Sequence, residues 1–120
     1  KGRKFDLRVY MLICCTKPYL VLFNQGYCRI SLQDYNLEDF NTKEGKITHM
    51  TNNSVQKKHP EYKDRKEETI IDLETLREYL LAENVIATPE EFSKAINKIK
   101  EVMRVIFLQT KDKLDRTYGC

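Results

Sequence analysis

Polar and apolar residues alternate at the start of the chain: Lys4, Asp6 and Arg8 are charged, and Phe5, Leu7 and Val9 between them are apolar. From Tyr10 to Cys15 the run is continuously apolar. A period of two that gives way to an unbroken apolar run predicts a strand over residues 4–15, half-exposed at its start and buried at its end. Thr16-Lys17-Pro18 punctuates it. Tyr19 to Phe23 predicts a second strand. Asn24-Gln25-Gly26 predicts a hairpin loop, with Gly26 able to take positive φ, and Tyr27 to Leu32 a third strand. The three strands are expected to form an antiparallel meander.

Residues 33–48 are polar and carry Asp, Asn and Gly, which predicts a long loop, with room for a short strand around Ile47. Lys57 to Glu68 is a dense charge run containing Pro60 and reads as a solvated loop. Two helices follow. Asp72 can cap the first, where Leu73, Leu76 and Leu80 recur at helical spacing. Thr88 is placed to cap the second, with Pro89 at the first helical position and Glu91 where a capping box needs it. Phe92, Ile96, Ile99, Met103 and Ile106 then recur at steps of four and three, beside Ala95 and Val102. This stripe is too short for a coiled coil and predicts the core face of a helix packed on the sheet. The fold class is therefore α+β: a three-stranded meander, a long loop and two helices.

Composition narrows the function little. A chain of 120 residues is one domain or part of one, and its net charge of +3 is only mildly basic. It lacks the clustered basic and aromatic surface of a nucleic-acid module, and no apolar run is long enough to span a bilayer. Neither nucleic acid nor membrane is expected as a partner, whereas an acidic protein suits the charge. Cys14, Cys15, Cys28 and Cys120 show no Cys-x-x-Cys spacing, so they read as reduced, mostly buried thiols of a cytoplasmic protein. The chain begins in a charged strand and stops after a long helix pattern, which suggests part of something longer.

Residues two apart on a strand point the same way and lie roughly 6.8 Å apart. Lys4, Asp6 and Arg8 therefore form a row of plus, minus, plus. By itself the row reads as an ordinary solvent face with weak ion pairs. The functional reading offers a lysine to phosphate, a carboxylate to ribose hydroxyls or a metal, and an arginine to a carboxylate or phosphate. Arg29 stands in an apolar strand and needs an acceptor. If its strand lies beside the first, it shares the charged face. His49-Met50-Thr51-Asn52-Asn53 offers small polar groups that either cap the next element or contact a nucleotide.

Taken together, these segments carry a resemblance. Lys4-Phe5-Asp6-Leu7-Arg8 resembles the "KFDxR" strand of the tubulin tyrosine ligase-like family. Gly26-Tyr27-Cys28-Arg29-Ile30-Ser31 resembles its "G-x-x-R-x-[ST]" strand, and His49-Met50-Thr51-Asn52 its "HLTN" motif, with Met in place of Leu. The resemblance covers about residues 4–82. It implies an ATP-grasp fold and an ATP-dependent ligase that activates a carboxylate as an acyl phosphate for attack by an amino acid's amine. On family terms Lys4, Asp6, Thr51 and Asn52 would bind the nucleotide. Arg8 and Arg29 would hold the carboxylate of a free amino acid or of a tubulin tail or similar acidic chain.

The family's magnesium ligands lie in an acidic strand and a Glu-x-Asn motif beyond a segment like Tyr118-Gly119-Cys120. Residues 1–120 are therefore expected to hold a partial catalytic domain, without its N-terminal subdomain and with its magnesium ligands outside this chain. The 120 residues alone are expected to be inactive. Asn52 to Pro60 resembles glycine-adding members more than glutamate-adding ones, and the family implies a cytoskeletal or ciliary setting. The alternative is a non-catalytic remnant that binds microtubules or a protein partner through Lys57 to Lys66 and the long helix.

Overall fold

The computed structural model describes residues 2–37 and 42–114, and of residues 43 and 44 the backbone alone. Its first two elements form one long hairpin, β1 (Arg3–Thr16) and β2 (Tyr19–Asp34). The turn is Lys17-Pro18, joined by a cis peptide bond. The second and third strands expected from the sequence are thus the two halves of β2, and Asn24-Gln25-Gly26 is no hairpin loop. Gly26 does take positive φ, at 69°. Glycine tolerates that left-handed step, so the strand can bend there without ending.

The sheet has three strands in the order β1-β2-β3, as a meander would, but β3 is the short segment Ile70–Ile71. It runs antiparallel to β2, with Cys28 opposite Ile71 and Arg29 opposite Ile70. Between β2 and β3 lie α1 (Lys43–His49), α2 (Asn53–Gln56), α3 (Tyr62–Arg65) and a 3-10 turn over Lys66–Glu68. After β3 come α4 (Leu73–Ala82) and α5 (Pro89–Thr110). Ile47 therefore sits in a helix and not in a strand. Thr42 caps that helix by accepting from the Gly45 N–H at 2.9 Å. The charge run 57–68 has solvated lysines, yet it is no loop: Tyr62 is buried within it, and Arg65 bonds both Glu61 and Glu68.

The chain divides into two compact units. The first takes residues 1–8 and 26–76. Its core combines Cys28, Leu32, Tyr62, Leu73 and Leu76 with buried Ser31, Thr48, Thr51, Gln56 and Thr69. A core this polar is stable only if its groups are bonded. Ser31 donates to the Gln33 carbonyl at 2.8 Å, and Thr69 to the Lys66 carbonyl at 2.6 Å. Asp72 caps α4 as expected, accepting from the Thr75 N–H at 2.7 Å.

The second unit takes residues 9–25 and 77–120. Among its described residues Ile96 and Phe107 of α5 are buried, and Phe107 meets the Tyr19 ring edge-on at 5.2 Å. The Tyr19 hydroxyl donates to the Lys111 carbonyl just past α5 at 2.8 Å. The expected stripe is thus displaced at its end: Phe107 takes the core position and Ile106 is 53% exposed. The far part of β1 is not buried as its apolar run suggested. Tyr10 and Leu12, with Leu20 and Leu22 of β2, are exposed. These exposed positions alternate with half-buried Met11 and Ile13 in β1 and Val21 and Phe23 in β2. At the start of α5 the expected capping box does not form, because Glu91 reaches past the Thr88 N-cap to the residue before it. Glu91 accepts from the Ala87 N–H at 2.9 Å, while Thr88 makes no side-chain cap bond. Cys14 and Cys15 are half-buried free thiols and Cys28 is fully buried. Cys120 lies outside the described residues.

Candidate functional site

Both residues at the centre of the site lie in the first unit. β1 turns Asp6 toward β2, where Arg29 extends from the middle strand of the sheet. Arg29 Nε donates to Asp6 Oδ1 at 2.8 Å and Nη2 to Oδ2 at 2.7 Å. This two-point fork is the geometry a guanidinium makes with a carboxylate and an ammonium cannot. Only 16% of the Arg29 side chain is exposed, against 37% for Asp6. The pair therefore presents the carboxylate outward and keeps the guanidinium behind it. Buried thiol Cys28 is pushed up to about 12 by desolvation and then by the Asp6 charge.

Thr51 completes the cluster. Its hydroxyl, buried within the unit, donates to Asp6 Oδ2. The Asp6 carboxyl is held below its usual range chiefly by the Arg29 hydrogen bond, which outweighs the opposing effect of burial. The Thr51 hydroxyl, the Arg29 charge and the Arg8 charge add to the lowering. Asp6 is thus a committed anion at neutral pH, with lone pairs left over for a further donor.

The remaining candidates fall around this core. Lys4 Nζ donates to the His49 carbonyl at 2.7 Å, so its ammonium stands at the end of α1, two residues from Thr51. Arg8 is exposed on the same strand. Asn52 is exposed and caps α2, its Oδ1 accepting from both the N–H and the hydroxyl of Ser54 at 3.0 Å. The structure therefore joins Asp6, Arg29 and Thr51 directly and places Lys4 and Arg8 beside them. It uses the Asn52 side chain to start the next helix. Among the described residues, no three His, Cys, Asp or Glu side chains gather where they could hold a metal.

Sequence patterns gave no sign of Gln56. It is fully buried, accepts from the Leu32 N–H at 2.8 Å and donates to the Ile47 carbonyl at 2.7 Å and to the Met50 carbonyl. No periodicity marks an amide between Val55 and Lys57 as a core group.

The family model described as tubulin-tyrosine ligase matches residues 1–120. The chain belongs to the tubulin-tyrosine ligase family. It is 34% identical to a protein polyglycylase of Macaca fascicularis, over 98% of this chain and 19% of that protein. It is 35% identical to an inactive polyglycylase of Homo sapiens, over 98% of this chain and 18% of that protein. A probable tubulin polyglutamylase of Bos taurus is 39% identical over 54% of this chain and 14% of its own length. The chain thus spans less than a fifth of these relatives. No solved structure matches it. The three segments that carried the resemblance supply Asp6, Arg29 and Thr51, which the structure brings together. No described helix is long and apolar enough to cross a membrane.

Proposed function

We propose that this chain supplies one wall of the site of an ATP-grasp ligase that joins an amino acid, glycine by preference, to carboxylates of tubulin tails or a similar acidic substrate. The observation that carries the reading is the Asp6–Arg29 fork with Thr51 bonded to its outer oxygen. In a chain of this family, a fixed anion flanked by Lys4, Arg8 and a hydroxyl has the donor and acceptor set of a nucleotide-binding face. ATP, when bound, supplies the phosphoryl group that activates the carboxylate. Asp6 accepts hydrogen bonds from ribose hydroxyls. Lys4 turns its ammonium from the His49 carbonyl toward phosphate oxygens. Arg8, exposed and charged, meets the carboxylate of the incoming amino acid or acceptor chain, and Arg29 fixes the field in which it binds. Magnesium, when bound, would neutralise phosphate charge, and none of the residues named here is assigned to it. The preference for glycine rests on the polyglycylase relatives, which match over 98% of this chain, while the polyglutamylase matches over 54%.

One finding favours a second reading. The human relative is named an inactive polyglycylase at 35% identity over 98% of this chain, so a protein this similar to the chain can lack turnover. The deciding experiment supplies purified full-length protein with MgATP, tubulin and labelled glycine or glutamate. ATP-dependent labelling with glycine supports the ligase. ATP binding without labelling by either amino acid supports the inactive reading.

A further inference from the structure

Three backbone carbonyls at the end of α1 meet side chains from elsewhere in the first unit. The Ile47 and Met50 carbonyls accept from Gln56 Nε2, and the His49 carbonyl accepts from Lys4. The last carbonyls of a helix have no partner within it, so whatever bonds them fixes where the chain goes next. What comes next is Thr51. Gln56 also accepts from the Leu32 N–H of β2, three residues along the strand from Arg29. One buried amide therefore ties the strand that carries Arg29 to the segment that carries Thr51.

We infer that Gln56 is a positioning residue: by bonding Leu32, Ile47 and Met50 together it sets the Thr51 hydroxyl on Asp6 and so shapes the anion that faces the ligand. Gln56 touches neither Asp6 nor Thr51 through any of these bonds, so it acts through the backbone. A glutamine suits the task because one planar group offers an acceptor to a strand N–H and two donors to carbonyls. A methionine fills similar space and offers none of them. A glutamic acid, protonated in acid, keeps the acceptor and one donor. The consequence for ligand binding rests on the nucleotide reading given above, but the effect on Asp6 does not.

The test follows the Asp6 carboxyl by 13C NMR during acid titration of full-length protein labelled at aspartate Cγ. Gln56→Met is expected to raise the Asp6 midpoint as far as Thr51→Val does. The Gln56→Met/Thr51→Val double variant should raise it no further, and Gln56→Glu should raise it less. A folded Gln56→Met that titrates Asp6 at the wild-type midpoint overturns the inference. If Gln56→Met does not fold, wild-type protein decides through hydrogen exchange. The Gln56 side-chain amide protons should exchange as slowly as core amides, and exchange at the rate of an exposed amide overturns the inference. MgATP affinity should fall about tenfold in Gln56→Met, the scale of losing a supporting partner. Wild-type protein that binds no MgATP defeats the nucleotide reading and leaves the Asp6 result standing.

Discussion

Arg29 holds Asp6 by two parallel hydrogen bonds, 2.8 and 2.7 Å long, across 23 positions of sequence. The fork decides the charge state of the site. A guanidinium fixed by the middle strand of a sheet keeps the carboxylate ionised, and the partial exposure of Asp6 leaves that charge available to a ligand.

The first prediction concerns the fork itself. Arg29→Leu leaves a half-buried carboxylate with one fewer partner group. Local opening of β2, read by native-state hydrogen exchange, should become easier by about 1–2 kcal/mol. The cost stays below that of a fully buried pair because water reaches 37% of the Asp6 side chain. Arg29→Lys keeps the charge and loses the fork, so it should recover only part of the loss.

A second prediction concerns acid. The Asp6 carboxyl lies below its unfolded value, first because of the Arg29 hydrogen bond. A depressed carboxyl contributes stability that is complete above the unfolded pKa and is lost as pH falls through the folded one. The contribution should therefore be intact at pH 5 and above and decline below roughly pH 4, the ordinary aspartate value. Arg29→Leu removes the largest cause of the lowering, so this part of the decline should shrink, which unfolding free energies of each protein measured as pH falls from about 5 would show.

The charged row was legible in the sequence, but its pairing was not. Alternation at Lys4, Asp6 and Arg8, and a lone Arg29 in an apolar strand, are local signals that put Arg29 on the same face only if the two strands are neighbours, and they did not show that Arg29 bonds Asp6. The cap at Asp72 and the proline start of α5 were legible because their signals are local. α1 was not. Gly45 and Thr48 disfavour a helix, and its seven residues are held by the Thr42 cap and by Gln56, nine residues on from Ile47. β3 is two residues long, and its partner is found only once β2 is in place. Ile106 and Phe107 are both apolar at the end of one stripe. The Tyr19 ring, from the opposite end of the sequence, selects Phe107.

A third prediction follows from that selection. Tyr19→Phe keeps the ring on Phe107 and removes the donor to the Lys111 carbonyl, for a cost of about 1 kcal/mol. Phe107→Ala removes a buried ring and should cost about 3–5 kcal/mol. Ile106→Ala, at an exposed site, should cost well under either. Hydrogen exchange of the α5 amides would rank the three.

A fourth prediction concerns thiol chemistry. Burial, and then the Asp6 charge, pushes Cys28 up to about 12. Only the thiolate is nucleophilic. Iodoacetamide at pH 8 should leave Cys28 unmodified in folded protein while it alkylates half-buried Cys14 and Cys15, as peptide mass spectrometry would read. Fast alkylation of Cys28 would show that the sheet beside Asp6 opens readily.

The central claim is that the Asp6–Arg29–Thr51 face binds ligand in a ligase. Its most direct test is ATP-dependent incorporation of labelled glycine into tubulin by full-length protein, comparing wild type with Arg8→Ala, Asp6→Ala and Arg29→Ala variants shown to be folded. Losses of at least about a hundredfold in kcat/KM, near 2.7 kcal/mol of transition-state stabilisation, are predicted for each. Wild-type incorporation with unchanged rates in all three variants would contradict the account.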